Sequence, residues 1–235
     1  FVYNMCGIIG FTGKTSASKM LLDGLEKLEY RGYDSAGVAL LCDGEFSVFK
    51  TVSRIKDLRG TVSNDFDSNI GIGRTRWATH GAPSLKNAHP HISCDKKIAV
   101  VHNGIIENYL QLRNELEGDG VVFKSETDTE VIPNLIAKYY DGDLFDAVLK
   151  TVNRLKGAYA LGVISTQHPD TLIAVKKFSP LIVGLGENEN YIASDITALV
   201  SRTKKAIYLD DDELAVITPQ NVKIYNSKGV TVNKK

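Results

Sequence analysis

The 235 residues carry 28 Lys plus Arg against 28 Asp plus Glu, with 43% apolar and 24% charged residues, the composition of an ordinary globular domain able to bury a sizeable core. Without a basic excess, nucleic acid and anionic membrane are poor candidates for the main partner. No apolar run approaches the roughly 18 to 20 residues that span a bilayer, and no basic region precedes an apolar signal core, so the chain reads as cytoplasmic.

The chain opens FVYNMCGIIGF. Cys6 to Phe11 is short, apolar and glycine-flanked, and predicts a buried strand. From Ser16 the period changes: Met20, Leu21, Leu25 and Leu28 recur at three- and four-residue spacing, predicting an amphipathic helix capped by Ser16 and followed by Gly32. SAGVALLCDGEFSVFKTV then reads as two strands joined at Asp43-Gly44, a strong hairpin signal. Further strands are predicted at NIGIGRT, KIAVVHN, AYALGVIS, TLIAVKK, LIVGLG, NYIAS, KAIYL and ELAVIT. Helices are predicted at Tyr109 to Glu117, Thr129 to Tyr140, Leu144 to Leu155 and briefly at Ile196 to Ser201. Strands outnumber helices and the helices fall into groups, which suggests layered sheets with helices outside. No repeat or proline-rich linker divides the chain, and the polar NSKGVTVNKK at its end reads as the start of a linker.

Cys6, Cys42 and Cys94 are odd in number and form no CxxC pair, so neither a disulfide framework nor a zinc site is expected. Cys6 is the thiol with chemical potential. If it stood first in the chain, its α-amine, with a pKa of roughly 7.7 to 8.0, could accept the proton of a thiol whose pKa is about 8.5. Residues Phe1 to Asn4 and Met5 are then expected to be an N-terminal extension, a preparation remnant or a misplaced start, and the chain as written to be nearly inactive. An arbitrary cysteine in such a strand is more often simply buried.

Three other segments place polar groups where a strand end or loop exposes them. In GIGRTRWATHGAP an arginine fork suits a carboxylate, with Thr79 and His80 beside it as hydrogen-bonding groups; the bland alternative has Trp77 as core or lid packing and Arg74 solvated. VVHNGIIENY ends a strand with an amide side chain and an unhindered backbone N–H side by side, the two donors an oxyanion needs, although Asn-Gly also makes ordinary turns. In SETDTEV, Asp128 could pair with an ammonium, or Ser125, Asp128 or Thr129 could cap a helix. His89-Pro90-His91, His102 and His80 lack the spacing of a chelate, whereas a Cys6–His couple stays open at this level.

Taken in order, CGIIGF, LEYRGYDSAGVAL, GRTRWATHGAP, AHPH, VVHNGIIENY, SETDTEVI and SPLIVG closely resemble the glutaminase domains of the glucosamine-6-phosphate synthase family, from Cys6 to about Ser201. The resemblance implies an α+β fold, the four-layer αββα sandwich of N-terminal nucleophile hydrolases, over residues 6–225, with 226–235 leading towards an absent sugar-isomerase half. It implies Cys6 as nucleophile with its own α-amine as base, and Asn103 with the N–H of Gly104 as oxyanion hole. Arg76 would hold the α-carboxylate of L-glutamine and Asp128 its α-ammonium, with Thr79 and His80 completing the pocket and Trp77 on the loop that closes over it. Arg31, in YRGYDS, would orient the N-terminal residue or serve structure. Asparagine, one methylene shorter, would not reach Cys6 while Arg76 and Asp128 hold its other end.

No cofactor and no metal are implied. The partners implied are the sugar-isomerase domain with its fructose 6-phosphate site and, for the full-length enzyme, a homodimer. Two rival readings are a catalytically silent glutamine-binding module and a type 2 amidotransferase domain feeding a different ammonia acceptor.

Overall fold

The computed structural model describes residues 6–31, 34–62, 68–77 and 82–234, with the backbone alone for Arg31. The order is β1 (Gly7–Thr12), α1 (Ala17–Leu28), β2 (Ser35–Cys42), β3 (Glu45–Thr51), α2 (Ile55–Thr61), β4 (Ile70–Arg76), β5 (His91–Ile92) and β6 (Ile98–Ile106). There follow α3 (Tyr109–Gly118), α4 (Val131–Tyr139), α5 (Leu144–Val152), β7 (Gly157–Ser165), β8 (His168–Lys177), β9 (Ile182–Leu185) and β10 (Asn190–Ala193). β11 (Lys205–Tyr208), β12 (Glu213–Ile217), β13 (Val222–Asn226) and β14 (Thr231–Val232) complete it. Two seven-stranded sheets result, ordered β11-β9-β10-β1-β4-β2-β3 and β14-β13-β12-β8-β7-β6-β5, with antiparallel strand pairing throughout.

Three apolar clusters separate four layers, and the expected αββα sandwich is what forms. Between the sheets lie Ile8, Ile70, Ile72, Ala99, Val101, Ala160, Ile164 and Ile192. Ile9, Phe11, Val38 and Leu40 face α1 and α2 through Leu21, Leu25, Leu28 and Leu58. Val100, Leu161, Val163 and Ile173 face α3, α4 and α5. Because successive side chains on a strand point to opposite faces, this partition follows from the alternation in each strand. On β4, Ile70 and Ile72 face the other sheet while Gly71 and Gly73 lie under α1. A Cβ at Gly71 would stand 2.8 Å from Leu21 Cδ1, and one at Gly73 3.1 Å from Leu25 Cδ1, so glycine there lets the helix settle close onto the strand.

The Asp43-Gly44 turn has φ of 50° and 80° at its two residues and sets the Cys42↔Glu45 register, as a two-residue I′ hairpin requires. Ser16 does take the N-cap position of α1, but its hydroxyl lies 2.9 Å from Ser18 Oγ instead of bonding into the helix. The helix expected from Thr129 begins as a 3-10 turn over Asp128–Glu130 and becomes α4 at Val131. The stretch 226–235, expected as linker, instead contributes β14, with Ile224 opposite Val232; the second sheet therefore runs past residue 225. Among the described residues no helix is long and apolar enough to cross a membrane.

Ile72 is fully buried in the layer between the sheets. Ile72→Ala leaves a cavity there and is expected to lower the unfolding free energy by about 2 to 5 kcal/mol. Urea unfolding of the two proteins measures it, and a loss under about 1 kcal/mol would mean that this layer collapses freely around the missing atoms.

Candidate active site

Cys6 immediately precedes β1, which lies between β10 and β4 near the middle of the first sheet. The Gly7 N–H donates to Thr75 Oγ1 at 2.9 Å, and the Trp77 N–H reaches Cys6 Sγ at 3.0 Å, so the thiol rests against the end of β4. The Cys6 S–H in turn points to the Trp77 carbonyl at 3.6 Å. Opposite, on β6 of the second sheet, Asn103 donates from Nδ2 to the Cys6 carbonyl oxygen at 2.9 Å. Asn103 has the same strand parity as Ala99 and Val101, so it faces the inter-sheet gap; His102, with the parity of Val100, faces the helices.

Gly104 follows with φ of 125°, and a Cβ there would stand 1.9 Å from the Ala158 carbonyl oxygen. Only glycine fits there, directly after Asn103 in the strand.

Arg76 closes β4 on the same face as Ile70 and Ile72. It is 3% exposed and sits 3.6 Å from Asp34, which lies just before β2. Burial lowers the Arg76 pKa, Asp34 opposes that, and the guanidinium also feels Arg74, Cys6 and Asp128. Asp128, buried at the start of its 3-10 turn, accepts the Ile106 N–H on Oδ2 at 2.8 Å. The thiol, the amide, the guanidinium and the carboxylate thus gather around the ends of β1, β4 and β6. Trp77 is 41% exposed at the rim. Thr79 and His80 lie outside the described residues, as does the Arg31 side chain, although the Arg31 backbone ends a 3-10 turn beginning at Glu29.

Two findings differ from the sequence reading or add to it. Arg74, expected in the bland alternative to be solvated, is 5% exposed and donates from Nε to Asn103 Oδ1 at 2.8 Å. His89, His91 and His102 belong to a buried lattice under the Asp128 turn. His102 Nδ1 is 2.8 Å from Thr129 Oγ1, His91 Nε2 is 3.1 Å from Thr127 Oγ1, and His89 packs edge-on to His91. Ser125 donates to Glu130 from its N–H and its hydroxyl, both at 2.6 Å, and Glu130 also accepts the Lys124 N–H at 2.9 Å. SETDTEV offered caps as the alternative role for these residues; Ser125 instead pairs within the segment with Glu130, while Thr127, Asp128 and Thr129 find partners 22 to 36 positions away. Among the described residues no histidine bonds Cys6, and no group of His, Cys, Asp and Glu could hold a metal ion.

The sandwich, with a cysteine ahead of the first strand facing an Asn-Gly pair across two sheets, defines the class of N-terminal nucleophile amidotransferases. The chain belongs to the glutamine amidotransferase domain family, whose profile matches residues 50–231. It is 57% identical over 231 residues to a glutamine–fructose-6-phosphate aminotransferase (isomerizing) of Aquifex aeolicus, covering 98% of this chain and 39% of that protein. A protein of the same name from Clostridium acetobutylicum is 53% identical over 231 residues, 98% of this chain and 38% of that one. The chain therefore spans well under half the length of these relatives. Among solved structures, a glutamine phosphoribosylpyrophosphate amidotransferase from B. subtilis, complexed with ADP and GMP, superposes with a TM-score of 0.81 at 27% identity, over 94% of this chain and 49% of that one.

Burial pushes the pKa of His89 and His91 well below the usual 6.5, and neighbouring cations such as Arg74 and Lys50 add to this. Unfolding restores the ordinary value, so the unfolded chain binds more protons below pH 6.5. The stability these groups confer is complete above pH 6.5 and is lost as the pH falls beneath it, by up to about 1.4 kcal/mol per pH unit for each histidine. Denaturant unfolding at pH 7 and pH 5 is expected to show that loss, with a shallower fall in His91→Gln. Equal stability at both pH values would contradict neutral buried histidines.

Proposed function

We propose that this domain hydrolyses L-glutamine to glutamate and ammonia. The observation that carries the reading is the meeting of Cys6 with Asn103 across the two sheets, flanked by Arg76 and Asp128. A zwitterionic amino acid needs one cation and one anion to hold its α-groups, and Arg76 and Asp128 supply them. Its side-chain carbonyl then lies towards Cys6. The thiol gives its proton to the α-amine of a Cys6 that begins the chain while Sγ bonds to the amide carbon. The carbonyl electron pair moves to oxygen, which Asn103 Nδ2 and the Gly104 N–H receive. The C–N bond breaks, the nitrogen takes up the proton and leaves as ammonia, and water cleaves the γ-glutamyl thioester to glutamate and free thiol.

Thr79, His80 and Trp77 complete and cover the glutamine pocket in this reading, and Arg31 orients the N-terminal residue. The names of the long relatives support a further step in the whole protein, in which ammonia passes to a sugar-isomerase domain and aminates fructose 6-phosphate; a full-length homodimer in the cytoplasm belongs to the same reading. The glutaminase unit then comprises about residues 6–225 with the final strands attached.

Glutamate release from glutamine by a chain starting at Cys6, run beside the sequence as given, tests this. Release is expected from the first and to be nearly absent from the second, and Asn103→Ala in the first is expected to lower kcat by about 10² to 10³. Equal release by both chains would remove the α-amine from the mechanism. Binding of glutamine with no release by the Cys6-first chain would make the domain a silent glutamine-binding module.

A further inference from the structure

We infer that Arg74 is a positioning residue that sets the orientation and the donor strength of Asn103. The inference rests on the glutaminase reading above. Its basis is a chain of two hydrogen bonds: Arg74 Nε donates to Asn103 Oδ1 at 2.8 Å, and Asn103 Nδ2 donates to the Cys6 carbonyl at 2.9 Å. A guanidinium is only a donor and a carbonyl only an acceptor. The amide therefore has one assignment, with its oxygen towards Arg74 and its nitrogen towards Cys6. Reversing it would set N–H against N–H on one side and O against O on the other.

Orientation alone would not require a charge. Arg74 is 5% exposed, and no Asp or Glu lies within salt-bridge distance of it among the described residues. A buried cation without a counter-ion is costly, and an apolar residue would pack the same space more cheaply. The buried His89 and His91 nearby are held neutral and carry none of this charge. The positive charge thus sits directly behind the amide and draws electron density from Nδ2–H towards Oδ1. A neutral glutamine carbonyl gains little from this; the oxyanion of the tetrahedral intermediate gains much more. That difference between ground state and transition state raises kcat while leaving substrate binding nearly unchanged.

Strand alternation explains how the residue came to be there. On β4 the inter-sheet face reads Ile70, Ile72, Arg74, Arg76, so it changes from apolar to cationic as the strand leaves the core. The two arginines divide the work. Arg76 faces the ligand site, and Arg74 stands one step behind it, in contact with the catalytic amide and not with substrate.

Three variants in the Cys6-first chain separate charge, orientation and mere packing. Arg74→Gln places a neutral N–H donor at the same number of bonds from the backbone as Nε, keeping the orientation and removing the charge. Arg74→Met removes both. Asn103→Ala removes the group through which Arg74 is said to act. We expect kcat for glutamine to fall about tenfold in Arg74→Gln and about a hundredfold in Arg74→Met, with KM within about threefold of the parent. The affinity for glutamate γ-semialdehyde, whose thiohemiacetal carries the oxyanion, should fall by the same factors while product glutamate binds as before. In the Asn103→Ala background, Arg74→Gln should cost nothing further.

Parental kcat in both Arg74 variants, or a full additive loss in the Asn103→Ala background, overturns the inference. So does a loss shared equally by KM and glutamate affinity, which is what a structural role produces. Should Arg74→Met not fold, Arg74→Gln decides alone. A parent chain that releases no glutamate would instead overturn the glutaminase reading, so the two failures are distinct.

Discussion

Asn103 spans the gap between the two sheets, its Nδ2 held 2.9 Å from the carbonyl oxygen of Cys6, and the placement of the other groups around the thiol depends on that tie. Cys6 has left the first sheet by one residue and still has to be held in register. Its carbonyl is fixed from the second sheet by Asn103, its sulfur from the end of β4 by the Trp77 N–H, and the next residue by Thr75. Asn103 and Thr75 are on strands of a packed sandwich and Trp77 directly follows one, so the thiol is anchored to the core although it lies at the core's edge. A site built on strand ends in this way keeps its geometry better than one assembled from loops.

The second sheet serves the site from both of its faces. Asn103 looks towards the first sheet while its neighbour His102 looks towards the helical layer and bonds Thr129, next to Asp128. Asp128 itself returns to β6 through the Ile106 N–H. The amide and the carboxylate are therefore held by the same strand, Asn103 as one of its residues and Asp128 through the hydrogen bond that it accepts from Ile106, three positions on. Burying Ser125, Thr127, Thr129, Glu130 and three histidines in one place would be expensive if they were unmatched. Their mutual pairing offsets most of that cost, with His89 Nδ1 left without a partner among the described residues, and it ties the Asp128 turn to β5 and β6.

Much of the fold was legible in the sequence where periodicity is strong. Ile8 to Phe11, the Asp43-Gly44 hairpin and the Met20 to Leu28 stripe all form as their patterns predict. β5 is only two residues long, and α2 contains Gly60 and a single pair of buried apolar residues, so neither rises above its surroundings. β13 and β14 alternate weakly because their outer faces are solvated at the sheet edge. For the site, motif resemblance picked out Cys6, Asn103, Gly104, Arg76 and Asp128, but no local pattern could pair Arg74 with Asn103, 29 positions away. Nor could spacing separate a histidine couple for Cys6 from a histidine lattice under Asp128. Both depend on which face of β4 and β6 a residue takes, and on what the opposing layer presents to it.

In the proposed function Cys6 is the nucleophile of a site shaped for glutamine. A diazoketone analogue of glutamine, which alkylates an activated thiol at the position of the amide, tests it most directly in a Cys6-first chain followed by intact mass and peptide mapping. The account requires a single adduct, on Cys6, suppressed by excess glutamine and absent from Cys42 and Cys94. Labelling spread over the three cysteines, or an adduct on Cys6 that glutamine does not suppress, would contradict it.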